Sequence, residues 1–107
     1  MLTYNIGPYI LRIGKNKTEN DLLVRTSNIE HTWFHLTNLP SCHGIIDCPI
    51  DKLSKNYIYL CAVKIKMHTK FKKFNYLPVT YTSLSNVKPT NIIGKVTLKG
   101  KTYTVNV

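Results

Sequence analysis

The sequence predicts a small α+β domain, a mixed and mostly antiparallel sheet packed against one main helix and one short helix. Three observations carry this. Short runs rich in Ile, Val, Thr, Tyr and Phe alternate in polarity and are punctuated by Gly, Pro and Asn turns. Two stretches instead repeat apolar residues at helical spacing. At 107 residues and 43% apolar content the chain can bury one modest core, so residues 1–107 are expected to form a single domain.

Leu2 to Ile6 and Tyr9 to Ile13 read as an opening hairpin around Gly7-Pro8. Gly14 to Lys17 is a loop, and Thr18 followed by Asp21 carries a capping signature for a short helix through about Arg25. Thr32 to Thr37 is a strand, and Ile45 to Cys48, beyond the Asn38 to His43 loop, is another. Pro49 and Asp51 mark the start of the main helix. Its expected core stripe is Leu53, Tyr57, Leu60, Cys61 and Ile65, with Lys52, Lys55, Tyr59, Lys66 and Lys70 toward another face. Phe71 to Asn75 is a basic connector and Leu77 to Thr82 a strand. Val96 to Leu98 and Tyr103 to Val105 are expected to close the domain as a hairpin turned by Gly100-Lys101.

Charge is polarised along this frame. All five acids, Glu19, Asp21, Glu30, Asp47 and Asp51, fall in the first 51 residues, while the remaining 56 hold 11 lysines and no acid. The net charge of +10 suits a polyanionic partner, whose phosphates lysines would neutralise with release of counterions. The bland alternative is a solvated surface reflecting codon usage. Lysine outnumbers arginine 13 to 2, and Asn, Ile and Lys supply 34 of 107 residues, as in an AT-rich genome such as that of a large DNA virus or a parasite.

Other classes recede. Lys64, Lys66 and His68 interrupt the longest apolar stretch, so no membrane span is expected. The first residues lack the early positive charge and cleavage site of a secretory signal, so a cytoplasmic location is expected, in the host if the source is viral. Cys42, Cys48 and Cys61 are an odd set, expected as reduced packing residues. The spacing of His31, His35, His43, Cys42 and Cys48 matches neither paired CxxC motifs nor HExxH, and no acid follows Asp51 to orient a base. No enzyme activity, metal or cofactor is therefore expected.

The stretch Ile10 to Leu23 contains Gly14-Lys15-Asn16 and Glu19-Asn20-Asp21. Thr32-Trp33-Phe34-His35-Leu36 and Ser41-Cys42-His43 follow. In that order these resemble the Gly-Lys/Arg-Asn turn, Asn-Asp or Glu-Asn turn, Trp-Phe-His strand and Gly-Ser-His loop of the NFACT-R domain. The helix bearing Ala62, Thr69-Lys70, and Leu77 through Thr82 are similar to the segments that follow in that family, so the resemblance covers nearly the whole chain. It departs at His31, where the family has aspartate, at Ser41-Cys42 in place of Gly-Ser, and at Gly44, where a β-branched residue is usual. The resemblance implies the RNA-binding part of proteins that join ribosomal subunits and tRNA in ribosome-associated quality control. The chain is expected to be that part alone, without the amino-terminal domain, helix-hairpin-helix segment and coiled coil.

The implied partner is structured RNA, tRNA or rRNA on the ribosome, with DNA as a second polyanion. The alternative is a protein-interaction module that mimics or competes with cellular NFACT proteins. Lys15, Asn16 and Lys17, after Gly14, offer a turn, cations and an amide to a phosphate. His35 and His43 could donate to a phosphate or stack on a base, or be satisfied core histidines. Trp33 and His35 should share one strand face with Phe34 on the other, leaving Phe34 in the core and Trp33 partly exposed or a core filler. Lys52, Lys55, Lys66, Lys70, Lys72 and Lys73 are expected to make one continuous positive surface, beside which the Gly14-Lys15-Asn16 turn and His43 clamp an RNA backbone.

Overall fold

Strand β1 (Leu2–Ile6) and strand β2 (Tyr9–Ile13) pair antiparallel, Ile6 opposite Tyr9, across the two-residue Gly7-Pro8 turn. Gly7 has φ +60°, and a Cβ there would lie 2.3 Å from the Tyr57 ring, so both the turn and the packing above it demand glycine. Helix α1 (Lys17–Thr26) follows, then β3 (Thr32–Leu36) and β4 (Gly44–Ile46). A single 3-10 turn at Ile50–Lys52 precedes helix α2 (Lys55–Met67), and β5 (Pro78–Ser83) comes after it. The chain ends in β6 (Val87–Pro89), β7 (Val96–Leu98) and β8 (Tyr103–Asn106).

In this computed structural model, which describes residues 1–107, the main sheet runs β1-β2-β4-β3-β5-β8. Every pairing in it is antiparallel, the fully antiparallel limit of the sheet expected. The expected closing hairpin does not form. Instead β7 pairs with β6 in a separate two-stranded sheet, and β8 joins the main sheet beside β5. Asn86 explains the rerouting: its carbonyl accepts from the Lys99 N–H, while its amide and the Thr82 hydroxyl both donate to the Lys101 carbonyl. That pins the Gly100 turn against the end of β5 and delivers Tyr103 alongside Tyr81, where the rings stack.

The sheet is covered on both faces. Leu11, Ile13, Phe34, Leu36, Ile46 and Val79 point to α2, whose inner residues are Ile58, Cys61, Ala62 and Ile65. Trp33 and Ile45 point the other way, under Leu23 and Val24 of α1 and Leu84, Val87 and Val96. Leu60, expected in the core stripe, is 44% exposed, since Ile58 and Ala62 take the inward positions. The helix also starts later than expected, because Ser54 caps it by accepting from the Tyr57 N–H, which leaves Lys52 in the preceding turn. Helix α1 is capped by Asn16 and not by Thr18. Gly44 permits the close crossing of α2, since a Cβ there would lie 2.5 Å from Ile65 Cδ1. No helix is long and apolar enough to cross a membrane.

Candidate nucleic-acid interface

On the α1 side of the sheet a cleft of about 750 Å³ opens beside the covered core. Its floor is Trp33, His35, His43 and Thr80, one wall is the Thr37–Ser41 loop, and its rim is Lys17 and Asn20 of α1 with Ile93, Gly94 and Lys95. Sheet register builds the floor. Phe34 lies opposite Gly44, so the next pair outward, His35 and His43, shares the Trp33 face, and Thr80 sits across from His35 on β5. The rim is set by α1, where the Asp21 carboxylate accepts from the Gly94 N–H at 3.3 Å and Arg25 donates to the Thr90 carbonyl at 2.8 Å. Gly94 (φ +81°) passes so near that a Cβ would lie 3.0 Å from Lys17 Cβ.

Hydrogen bonds assign both histidine tautomers. An indole N–H only donates, so Trp33 Nε1 at 3.1 Å makes His43 Nδ1 an acceptor and places the neutral ring's proton on Nε2. A carbonyl only accepts, so the 2.6 Å contact between His35 Nδ1 and the Leu36 carbonyl places that proton on Nδ1 and leaves Nε2 as an acceptor. The His35 ring stacks on Trp33, with centroids 5.5 Å apart and planes at 11°, and His43 meets His35 edge-on at 4.9 Å. Burial pushes the His43 pKa down to about 4, with the neighbouring His35 adding to the fall and the Gly94 backbone opposing it. Burial lowers His35 as well, against the Leu36 hydrogen bond. Both rings are neutral at pH 7, and the positive charge of the cleft belongs to Lys17 and Lys95.

The residues expected to act together separate. Lys17, Trp33, His35 and His43 meet in the cleft. Trp33 and His35 do share a face and Phe34 takes the other, and of the two roles open to Trp33 the structure shows the core filler and not the partly exposed ring, because α1 and β6 cover its side of the sheet. His43 is likewise buried, its Nδ1 taken by Trp33, so stacking on an incoming base is closed to it. The Gly14-Lys15-Asn16 turn does adjoin His43, since the Gly14 N–H donates to the His43 carbonyl. The phosphate cradle expected there is filled from within the chain: Glu19 accepts from the Lys15 N–H at 2.9 Å, and Asn16 Oδ1 accepts from the Glu19 N–H at 2.9 Å. That is a helix cap, which takes up the Lys15 N–H and Asn16 Oδ1 and leaves the Lys15 ammonium free for an outside anion.

The clamp on α2 does not assemble either, because the His43 ring and α2 lie on opposite faces of the sheet. Lysines 55, 66, 70, 72 and 73 lie along α2 and the turns after it, with Lys52 just ahead. Lys66 reaches the Val107 carbonyl and Lys64 sits over the Tyr4 ring, so they extend toward opposite edges of the sheet. Between these flanks the helix exposes Tyr59, Leu60 and Met67, so the face expected to be uniformly basic has an apolar centre. Neither of the two ion pairs, Met1–Glu19 and Asp21–Arg25, uses a lysine.

Lys95, Asn20, Thr37, Thr80 and Ile93 are cleft residues that sequence reasoning missed. The one available signal was Ile92-Ile93-Gly94, an apolar pair before a glycine in an otherwise polar stretch. The cysteines are unpaired thiols, and burial pushes Cys61 up to about 12 and raises Cys42, so neither is a thiolate at neutral pH.

The sequence model of the NFACT protein RNA binding domain matches residues 3–105. Coiled-coil domain-containing protein 25 of Danio rerio is 32% identical over 88 residues, which are 78% of this chain and 42% of that protein. Its counterparts in Bos taurus and Mus musculus are 32% identical over 91 residues, 80% of this chain and 44% of theirs. The chain thus spans less than half the length of these relatives. In fold it is similar to the C-terminal part of the fibronectin/fibrinogen-binding protein from Streptococcus suis. That likeness has a TM-score of 0.85 at 24% identity and covers 94% of this chain and 41% of that one.

Proposed function

This chain belongs to the NFACT protein RNA binding domain family, and on that premise we propose that it is a non-catalytic module for structured RNA, tRNA or rRNA, acting in the cytoplasm in ribosome-associated quality control. The observation that carries the reading is that the lysine ammonium groups are spared from internal ion pairs: no Asp or Glu carboxylate is paired with any of them. Unpaired surface ammonium groups are what phosphate neutralisation and counterion release require. Lys17 and Lys95 frame a cleft whose floor offers neutral rings and hydroxyls, so charge supplies affinity at the rim and shape supplies selection within.

Filter binding of tRNA at several salt concentrations tests this. Wild type should weaken steeply with salt, and Lys17→Ala with Lys95→Ala should reduce the logarithmic slope by about 0.7 to 0.9 for each phosphate contact removed. A salt-insensitive wild type would overturn the reading. A second reading, a protein-interaction module competing with cellular NFACT proteins, draws on the exposed Tyr59, Leu60 and Met67 of α2. Under it, Leu60→Asp would abolish capture of the partner while tRNA binding stayed negligible.

A further inference from the structure

We propose that the cleft selects a single unpaired nucleobase whose edge donates an N–H to His35 Nε2 in the plane of that ring, while Lys17 and Lys95 hold the flanking phosphates. This rests on the RNA-binding reading and names what the cleft would take. Trp33 is buried, and His35 lies parallel to it in the cleft lining, so the indole backs the imidazole and fixes the plane in which Nε2 points. The His35 ring is held from three sides, by the Leu36 carbonyl on Nδ1, Trp33 beneath and the edge of His43 at 4.9 Å.

The second ring nitrogen decides the ligand. His35 Nε2 has no partner in the protein, yet no buried side-chain nitrogen or oxygen lacks one, so Nε2 opens to solvent. With Nδ1 protonated and the ring neutral, Nε2 can only accept. A phosphate diester carries no proton at neutral pH and offers it nothing, whereas the amino and imino groups of bases and the ribose 2′-hydroxyl are donors. Depressed by burial, the ring keeps this acceptor at pH 7. The cleft volume of about 750 Å³ lies within the roughly 300–1,000 Å³ of small-molecule sites. In a duplex the bases are stacked and paired, so only a splayed-out nucleotide reaches such a floor.

The test is fluorescence anisotropy at one fixed salt concentration. Its probes are a labelled single-stranded RNA oligonucleotide of mixed sequence, its fully annealed duplex and its 2′-deoxy counterpart. Single-stranded RNA should bind at least about tenfold tighter than duplex, and His35→Ala should remove about 2- to 12-fold, the net worth of one hydrogen bond. His35→Phe keeps an aromatic ring without an acceptor and should lose as much; recovered binding would overturn the role of Nε2. It also guards against misfolding of the alanine variant, since it keeps a ring packed against Trp33. The deoxy strand should bind within a few-fold of RNA, whereas its loss would overturn the base donor in favour of the ribose hydroxyl. His35→Ala within twofold of wild type, or duplex equal to single strand, would overturn the proposal while RNA binding stood. Failure of every probe would overturn the RNA-binding reading itself.

Discussion

Replacing His43 by Asn should flatten the acid limb of the protein's stability curve. The His43 pKa is about 4 in the folded protein against 6.5 for an ordinary histidine, with burial as the main cause. A base with a depressed folded pKa binds its proton more readily in the unfolded chain. Its contribution is therefore complete above about pH 6.5 and is lost as pH falls toward 4. One proton costs about 1.4 kcal/mol per pH unit, so, with both ends of the titration rounded, about 3 kcal/mol is gone at pH 4. That is a large share of a domain stability of roughly 5–15 kcal/mol. Protonation of Nδ1 also breaks the hydrogen bond from Trp33, which joins the stability loss to the cleft floor.

An asparagine can present its carboxamide oxygen to the Trp33 N–H and does not titrate. His43→Asn should start lower at neutral pH because of its smaller volume, then fall less steeply, so that the two curves converge toward pH 4. Urea unfolding followed by Trp33 fluorescence from about pH 7.5 to about pH 4 measures both. The lowered Glu19 carboxyl titrates in both proteins and cancels, whereas His35 and Asp21 interact with the His43 charge and are counted with it. A stability difference that stays constant across this range would refute the assignment of the acid limb to His43.

Asn16→Ala removes the α1 cap and should cost about 1 kcal/mol in urea unfolding with the affinity for tRNA unchanged; weakened binding by a folded variant would mean that Asn16 contacts RNA after all. Gly94→Ala forces a side chain onto φ +81° against Lys17. It should cost about 1–2 kcal/mol and weaken nucleic-acid binding by displacing the rim, so a fully stable variant would show that the loop conforms easily. Leu60→Ser should change stability by no more than about 0.5 kcal/mol, whereas Ile65→Ala should cost about 2–5 kcal/mol. Equal losses in calorimetry would mean that the outer face of α2 is covered.

Much of the fold was legible because local rules govern it. The Gly7-Pro8 turn, the alternation along β3 and the Leu77 to Thr82 strand follow from turn chemistry and period two, and the structure departs from these expected boundaries by at most one residue. The segment from Val96 onward was not legible, because Val96–Leu98 and Tyr103–Asn106 look like a hairpin locally, and only the distant Asn86 and Thr82 send them to different sheets. In α2, two apolar stripes compete at helical spacing, and contact with the sheet decides that Ile58 and Ala62 are inside while Leu60 is not.

For the site, the sequence by itself determined that Trp33 and His35 share a face and that lysines far exceed the acids able to pair with them. It also carried the order of motifs by which the family was recognised. Only the tertiary structure decided which face is buried. Residues 17–24 and 87–96 fold over Trp33, convert it from a candidate stacking surface into the support for His35, and bring Lys17 and Lys95, 78 positions apart, to one rim. Strand periodicity is a property of neighbouring residues, whereas burial and the hydrogen bonds that choose a histidine tautomer depend on groups brought together only when the layers close.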